Sequence, residues 1–421
     1  MSLPTSPVRG SRFRSNIVRI ATGTMASQVI VIGSTPLLTR LFGPEAFGAL
    51  ALFTALNALL VGLSTLKYDL SIILPADDGE ATQLTRLTLT SSALFALLLM
   101  LGLVLGRCLL GPKVHPFYFL LPLSILLAAA YTCSQQWAAR GNDYRRFSHS
   151  AVIGAIVNVA VAFAIGLTMR DALYGLVVGW VSGLAASFAY ASAGQWRKSA
   201  SKYHDWRKLW SAAHAHRRFP YFVLPSSLAQ TLGSSAQPFI LQALFSLRDV
   251  GHYAIANRFM LVPSTLVGSA IAEAFRAEFV DRMKRGEAVS QFFRATLSKM
   301  VLMGLPVFLL LMLTAPVLFE TAFGADYLEA GILARYLAAG VLAQFAAQPF
   351  AYVFVATGHV RRGLAIQFAT TALPLLALAY GGLHADVAMA FGVASGVSFV
   401  LSILLVAMAY EACRSWEAAH A

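Results

Sequence analysis

Residues 87–106 read "LTLTSSALFALLLMLGLVLG", a run with no charged side chain. A helix rises about 1.5 Å per residue, so about 20 such residues cross a hydrocarbon core of about 30 Å. Similar runs recur along the whole 421-residue chain, which is 58% hydrophobic and only 12% charged. Mean hydropathy is +0.67. Soluble domains carry about a quarter charged residues, so this composition excludes a water-soluble globule. The chain reads as an all-α, polytopic membrane protein.

Apolar runs between charged or Gly- and Pro-rich breaks mark twelve expected spans. They lie near residues 17–39, 48–74, 87–106, 116–139, 148–168, 172–192, 219–245, 250–274, 296–319, 331–357, 363–381 and 386–410. The longest connection divides them into two expected six-span halves, residues 1–192 and 219–421, joined by a linker at 193–218.

A net charge of +13 raises nucleic acid as a partner, but the basic residues follow topology instead. Alternate connections receive Arg9, Arg12, Arg14 and Arg19, then Lys67 and Arg86, then Arg140, Arg145 and Arg146. The linker adds Arg197, Lys198, Lys202, Arg207, Lys208, Arg217 and Arg218. The same side continues with six residues from Arg276 to Lys299, then Arg361, Arg362 and Arg414. Twenty-five of the 32 basic residues thus share one side, which the positive-inside bias makes cytoplasmic together with both termini. No nucleic-acid partner is expected. Cys108, Cys133 and Cys413 are scattered without CxxC spacing, so neither a disulfide framework nor a metal site is expected, and no cofactor is implied. The opening "MSLPTSPVRGSRFRSN" lacks the pattern of a cleaved signal, and the first span is expected to stay as an anchor.

In the linker, Tyr203, Trp206 and Trp210 fall at i, i+3, i+7 beside Lys202, Arg207 and Lys208. That spacing predicts a short amphipathic helix on an anionic inner leaflet. The two halves also resemble each other. "SQVIVIGSTP" in the first span matches "AQTLGSSAQP" in the seventh, pairing Gln28 with Gln230 and Pro36 with Pro238. "AARGNDYRR" and "VATGHVRRG" echo each other after spans four and ten. An even number of spans per half makes this a parallel repeat about an axis along the membrane normal, as in transporters, with the substrate path expected between the halves.

Ser227, Gln230, Ser234 and Gln237 share one side of the seventh span, as Thr24, Gln28, Thr35 and Thr39 nearly do in the first. Such faces either make ordinary interhelical hydrogen bonds or line a watery cavity. Arg258, in "ANRFMLVPS", lies eight residues into the eighth span, about 12 Å deep. An arginine at a helix centre costs about 2.5–3.5 kcal/mol on insertion scales, so it marks a functional site unless a carboxylate on another span pairs with it. Asp69 and Glu320 are the candidate partners.

These residues carry a family resemblance. "ANRFMLVPSTLVGSAI" resembles the eighth span of lipid-linked glycan flippases, and "PLLTRLFGPEAFGALALF" followed by "LKYDLSIILP" is similar to bacterial O-antigen and polysaccharide-unit flippases. "QQWAARGNDYRRFS" extends the likeness. Those proteins belong to the multidrug/oligosaccharidyl-lipid/polysaccharide exporter superfamily. The resemblance implies a V-shaped pair of six-helix lobes in a bacterial inner membrane. It also implies a central cationic cavity for the diphosphate and sugars of an undecaprenyl-linked oligosaccharide. Arg258 matches the family's cavity arginine, with Asn257 where lipid II flippases have an acid. Gln28 and Ser34 stand where those flippases have first-span arginines, which argues against lipid II as substrate. The expected cavity residues are Arg258, Gln28, Gln230, Ser234, Gln237 and Asn257. Relatives couple transport to protons or sodium; Asp69 is the candidate ion site, with snorkelling beside Lys67 as its alternative. Polysaccharide polymerase machinery is an implied partner.

A drug/cation antiporter of the same superfamily is the rival reading, although spans one to six show no buried acid outside their ends. A membrane glycosyltransferase or ligase needs a sizeable outer loop, and "SLRDVG", "FGADYLEAG" and "GLHAD" are all short.

Overall fold

The computed structural model describes residues 7–111, 115–169, 173–193, 206–384 and 386–420. Its first group of helices is α1 (Pro7–Leu38), α2 (Pro44–Thr65), α3 (Asp78–Leu110), α4 (Leu121–Arg140), α5 (Tyr144–Thr168) and α6 (Gly175–Ser192). A short α7 (Trp206–Ala215) follows, then α8 (Leu224–Leu244), α9 (Leu247–Pro263) and α10 (Ser269–Lys284). The chain closes with α11 (Val289–Phe323), α12 (Leu328–Ala347), α13 (Val353–Ala356), α14 (Val360–His384) and α15 (Val387–His420). Among the described residues, nine helical stretches are long and apolar enough to cross a membrane. Every expected span has a helical counterpart; the three that fall outside those nine are α1, α8 and the α9–α10 rod. These are the helices whose polar residues stand out in the sequence.

Two span ends differ from expectation. The second span was expected to run to residue 74, but α2 stops at Thr65. Leu66 and Lys67 then take left-handed φ of 49° and 59°, and a 3-10 turn covers Tyr68–Ile73. The eighth span, expected to end at residue 274, continues as helix to Lys284. Ten further residues are cheap to add to an existing helix, because each gains a backbone hydrogen bond. Its charged end is laced by Arg282–Glu278 at 2.7 Å and Arg276–Glu273 at 3.4 Å. Midway, Ser264–Gly268 winds as a π-helix directly after Pro263, whose missing N–H breaks the regular ladder.

The chain packs as two compact units, Met1–Phe42 with Ala49–Ser235, and Gly43–Gly48 with Ala236–Ala421. The division falls inside α8, downstream of the linker. In the first unit, α7 is held by its apolar edge: Leu209 is 3% exposed, and Ala212 packs with Ile72, Leu84 and Cys133. Trp210, 78% exposed, and the exposed Arg207 and Lys208 occupy the rest of its surface. Lys202 and Tyr203 lie outside the described residues.

The repeat reappears as packing within each unit taken separately. In the first, α3 packs on α4, α4 on α6, and α5 on α6. In the second, α11 packs on α12, α12 on α15, and α14 on α15, the same three relations between the equivalent spans. Both echoed turns reverse through one left-handed residue, Asn142 (φ 53°) and Gly358 (φ 80°). Pro36 and Pro238 both sit inside helices.

In the second unit, the start of α2 meets the start of α9 backbone to backbone. A Cβ on Gly251 would overlap the Pro44 carbonyl oxygen, and one on Gly48 would overlap that of Leu247. Only glycine permits that approach at either position, the small-residue contact by which helices close up in hydrocarbon.

Candidate functional site

The packed face of α9 is set by Tyr253, Ala256 and Met260, at 3%, 0% and 0% exposure, which recur at helical spacing. At about 100° per residue, Arg258 projects on the opposite side. It is half-buried, and among the described residues it has neither an ion pair nor a hydrogen bond. Neither Asp69 nor Glu320 pairs with it. Phe259, beside it, packs edge-on against Phe319 at 6.0 Å and tilts against Phe323 at 4.9 Å, fixing the rotation of the helix. A guanidinium held this way offers its planar fork to an incoming oxyanion.

The other expected site residues divide by environment. Gln28 and Gln230 are exposed side chains without hydrogen-bond partners among the described residues, one on α1 and one on α8. Asn257 is half-buried and likewise unbonded. Ser234 donates to the Thr231 carbonyl of its own helix at 3.1 Å. Gln237 accepts a hydrogen bond from the Tyr253 hydroxyl, and that ring stacks on Phe391 at 5.0 Å. Gln237 therefore takes the interhelical role that was the alternative reading of its face. Asp69 is 6% exposed, and its Oδ1 has no partner.

Sequence reasoning passed over a polar cluster at the α2–α9 contact. Arg248 reaches Asp326 at 3.3 Å and Glu45 at 3.9 Å, while His252 Nε2 meets the Asp326 carbonyl at 2.9 Å. Phe47 packs edge-on to Tyr327 at 6.0 Å. The signal was available in short charged loops, but each charge alone reads as a solvated loop residue.

This fold is shared by multi-pass flippases and exporters of known structure. The chain superposes on the lipid II flippase MurJ in an inward closed conformation with a TM-score of 0.69 at 12% identity, covering 94% of this chain and 87% of that one. An inward-facing multidrug resistance MATE family transporter of the MOP superfamily gives 0.61 at 15% identity, covering 95% and 98%. Such identities establish the fold alone. Residues 37–331 match the family model described as polysaccharide biosynthesis protein, and the chain belongs to that family. The succinoglycan biosynthesis transport protein ExoT of Rhizobium meliloti (strain 1021) is 24% identical over 281 residues, 64% of this chain and 53% of the relative. The chain thus spans about half the length of that relative.

Proposed function

We propose that the protein flips an undecaprenyl-diphosphate-linked oligosaccharide from the cytoplasmic to the outer leaflet of a bacterial inner membrane. It serves surface polysaccharide biosynthesis by alternating access and catalyses no bond chemistry. The observation that carries this reading is Arg258, a half-buried cation on α9 without a protein partner among the described residues. Family membership in polysaccharide biosynthesis and the flippase fold support it. Arg258 anchors the diphosphate, and Gln28, Gln230 and Asn257 supply neutral polar groups. Both termini are cytoplasmic.

The test is a deletion strain free of other flippases. Surface polysaccharide should disappear while the lipid-linked unit is still made and stays in the cytoplasmic leaflet. Arrival of that unit in the outer leaflet would defeat the reading, and a completed outer unit left unligated would favour an enzyme.

Asp69, a buried acid with an unpartnered oxygen in the first unit, favours a second reading, an ion-coupled drug or cation antiporter. That reading requires Asp69→Asn to abolish resistance to a cationic drug.

A further inference from the structure

Within the second unit, α9, the turn after it, α12, α14 and α15 line an open pocket of about 450 Å³. α12 with the turn after it, α14 and α15 contribute polar side chains at helical spacing, and α9 contributes Leu261. Gln344 and Gln348 come from α12 and the turn after it, and both are exposed although the residues between them are fully buried. Gln367 and Thr370 come from α14, Ser398 and Ser402 from α15. Ser264, in the π-helical turn, brings a buried hydroxyl with no hydrogen-bond partner.

The three carboxamides have no hydrogen bond to any described residue. The Thr370 hydroxyl donates to its own helix at 2.9 Å and that of Ser398 at 3.0 Å, leaving oxygen lone pairs to accept. Three exposed carboxamides without partners converge on one open pocket, beside the buried unpartnered Ser264 hydroxyl, and together offer donors and acceptors to a polar guest. None of the described lining residues is charged. An anion would find no counter-charge here, and a cation no carboxylate. The volume also far exceeds a bare ion, whose oxygen ligands must close to about 2–2.6 Å. A carboxamide donates and accepts, and so does a sugar hydroxyl, so the wall matches an uncharged, polyhydroxylated ring. About 450 Å³ is in the range of small-ligand sites. Leu261, on its wall, follows Arg258 by three residues, about 4.5 Å along α9.

We propose that this cavity receives the neutral sugar residues of the lipid-linked unit while Arg258 takes the phosphate, so the second unit reads the glycan through amides and hydroxyls. The inference rests on the flippase reading above.

The test uses the full-length protein in nanodiscs and two probes: undecaprenyl diphosphate alone, and the same lipid carrying a neutral hexose disaccharide. Wild type should bind the sugar-bearing lipid about tenfold more tightly. The Gln344→Leu, Gln348→Leu double variant should bind both lipids alike, at the wild-type affinity for the bare one. Thr370→Val with Ser402→Ala, on other helices, should narrow the preference in the same direction and guards against a folding defect in the first variant. Equal binding of the two lipids by wild type overturns the inference while leaving the flippase reading intact, as does a full preference retained by both variants. Failure of wild type to bind either lipid overturns the flippase reading itself.

Discussion

Arg258 is where a structural charge and a substrate-binding one predict different outcomes. Truncating one member of a buried ion pair strands the other and costs about 3–5 kcal/mol. Arg258 has no such partner among the described residues, so Arg258→Ala should leave membrane abundance unchanged. Polysaccharide display should fall by at least about tenfold, and Arg258→Lys should recover only part of it, since an ammonium lacks the two-pronged fit to phosphate. A drop in abundance on immunoblots, restored by removing a carboxylate elsewhere, would defeat the argument. This residue was legible in the sequence because a charge in an apolar run is conspicuous whatever surrounds it. Gln237 was not, because its partner Tyr253 lies on another helix and nothing in "GSSAQP" indicates which way the amide turns.

The helices record a compromise between apolar length and close approach. Gly251 and Gly48 let α9 and α2 touch backbone to backbone, beside the Arg248–Asp326 pair. Gly251→Ala forces its Cβ into the Pro44 carbonyl, an overpacking that costs about 1–3 kcal/mol. Its thermal melting point should fall measurably in detergent, whereas Gly33→Ala, which meets nothing within 4 Å, should not lower it. Equal melting of the two variants would show that the contact yields freely. The long apolar helices were legible, since about 20 uncharged residues have few alternatives in a bilayer. Their ends were less so. α2 ended early, at the left-handed Leu66 and Lys67, whereas the charges after residue 274 did not end α10, because i, i+4 pairs such as Arg282–Glu278 let a charged helix continue.

For the whole molecule, the basic-residue bias sets an orientation that labelling can check. In a Cys108→Ser, Cys133→Ala, Cys413→Ala background, an impermeant maleimide added outside intact cells should modify Ala325→Cys, whose site is exposed at the start of a 3-10 turn. Ser201→Cys in the linker should stay unlabelled; modification there would invert the topology. The linker itself shows how much was visible. Its aromatic spacing predicted a helix, and α7 is one, but Leu209 and Ala212 turn toward protein and leave Trp210 outward. Of the twofold repeat, read from two glutamines, two prolines and one echoed turn, three packing relations recur in both units, while the packing of α1 on α5 is found in the first unit alone among the described residues. By itself, the sequence determined the all-helical membrane class, the long apolar helices and the family resemblance, because partition into hydrocarbon depends on composition summed over about 20 residues. Only the tertiary structure decided which polar groups stay unpaired, Arg258 and the amides of the neutral cavity, and which find partners, as Gln237 does. That choice depends on how each helix is rotated about its axis, about 100° per residue, and the rotation is fixed by neighbouring helices rather than by the span's own composition.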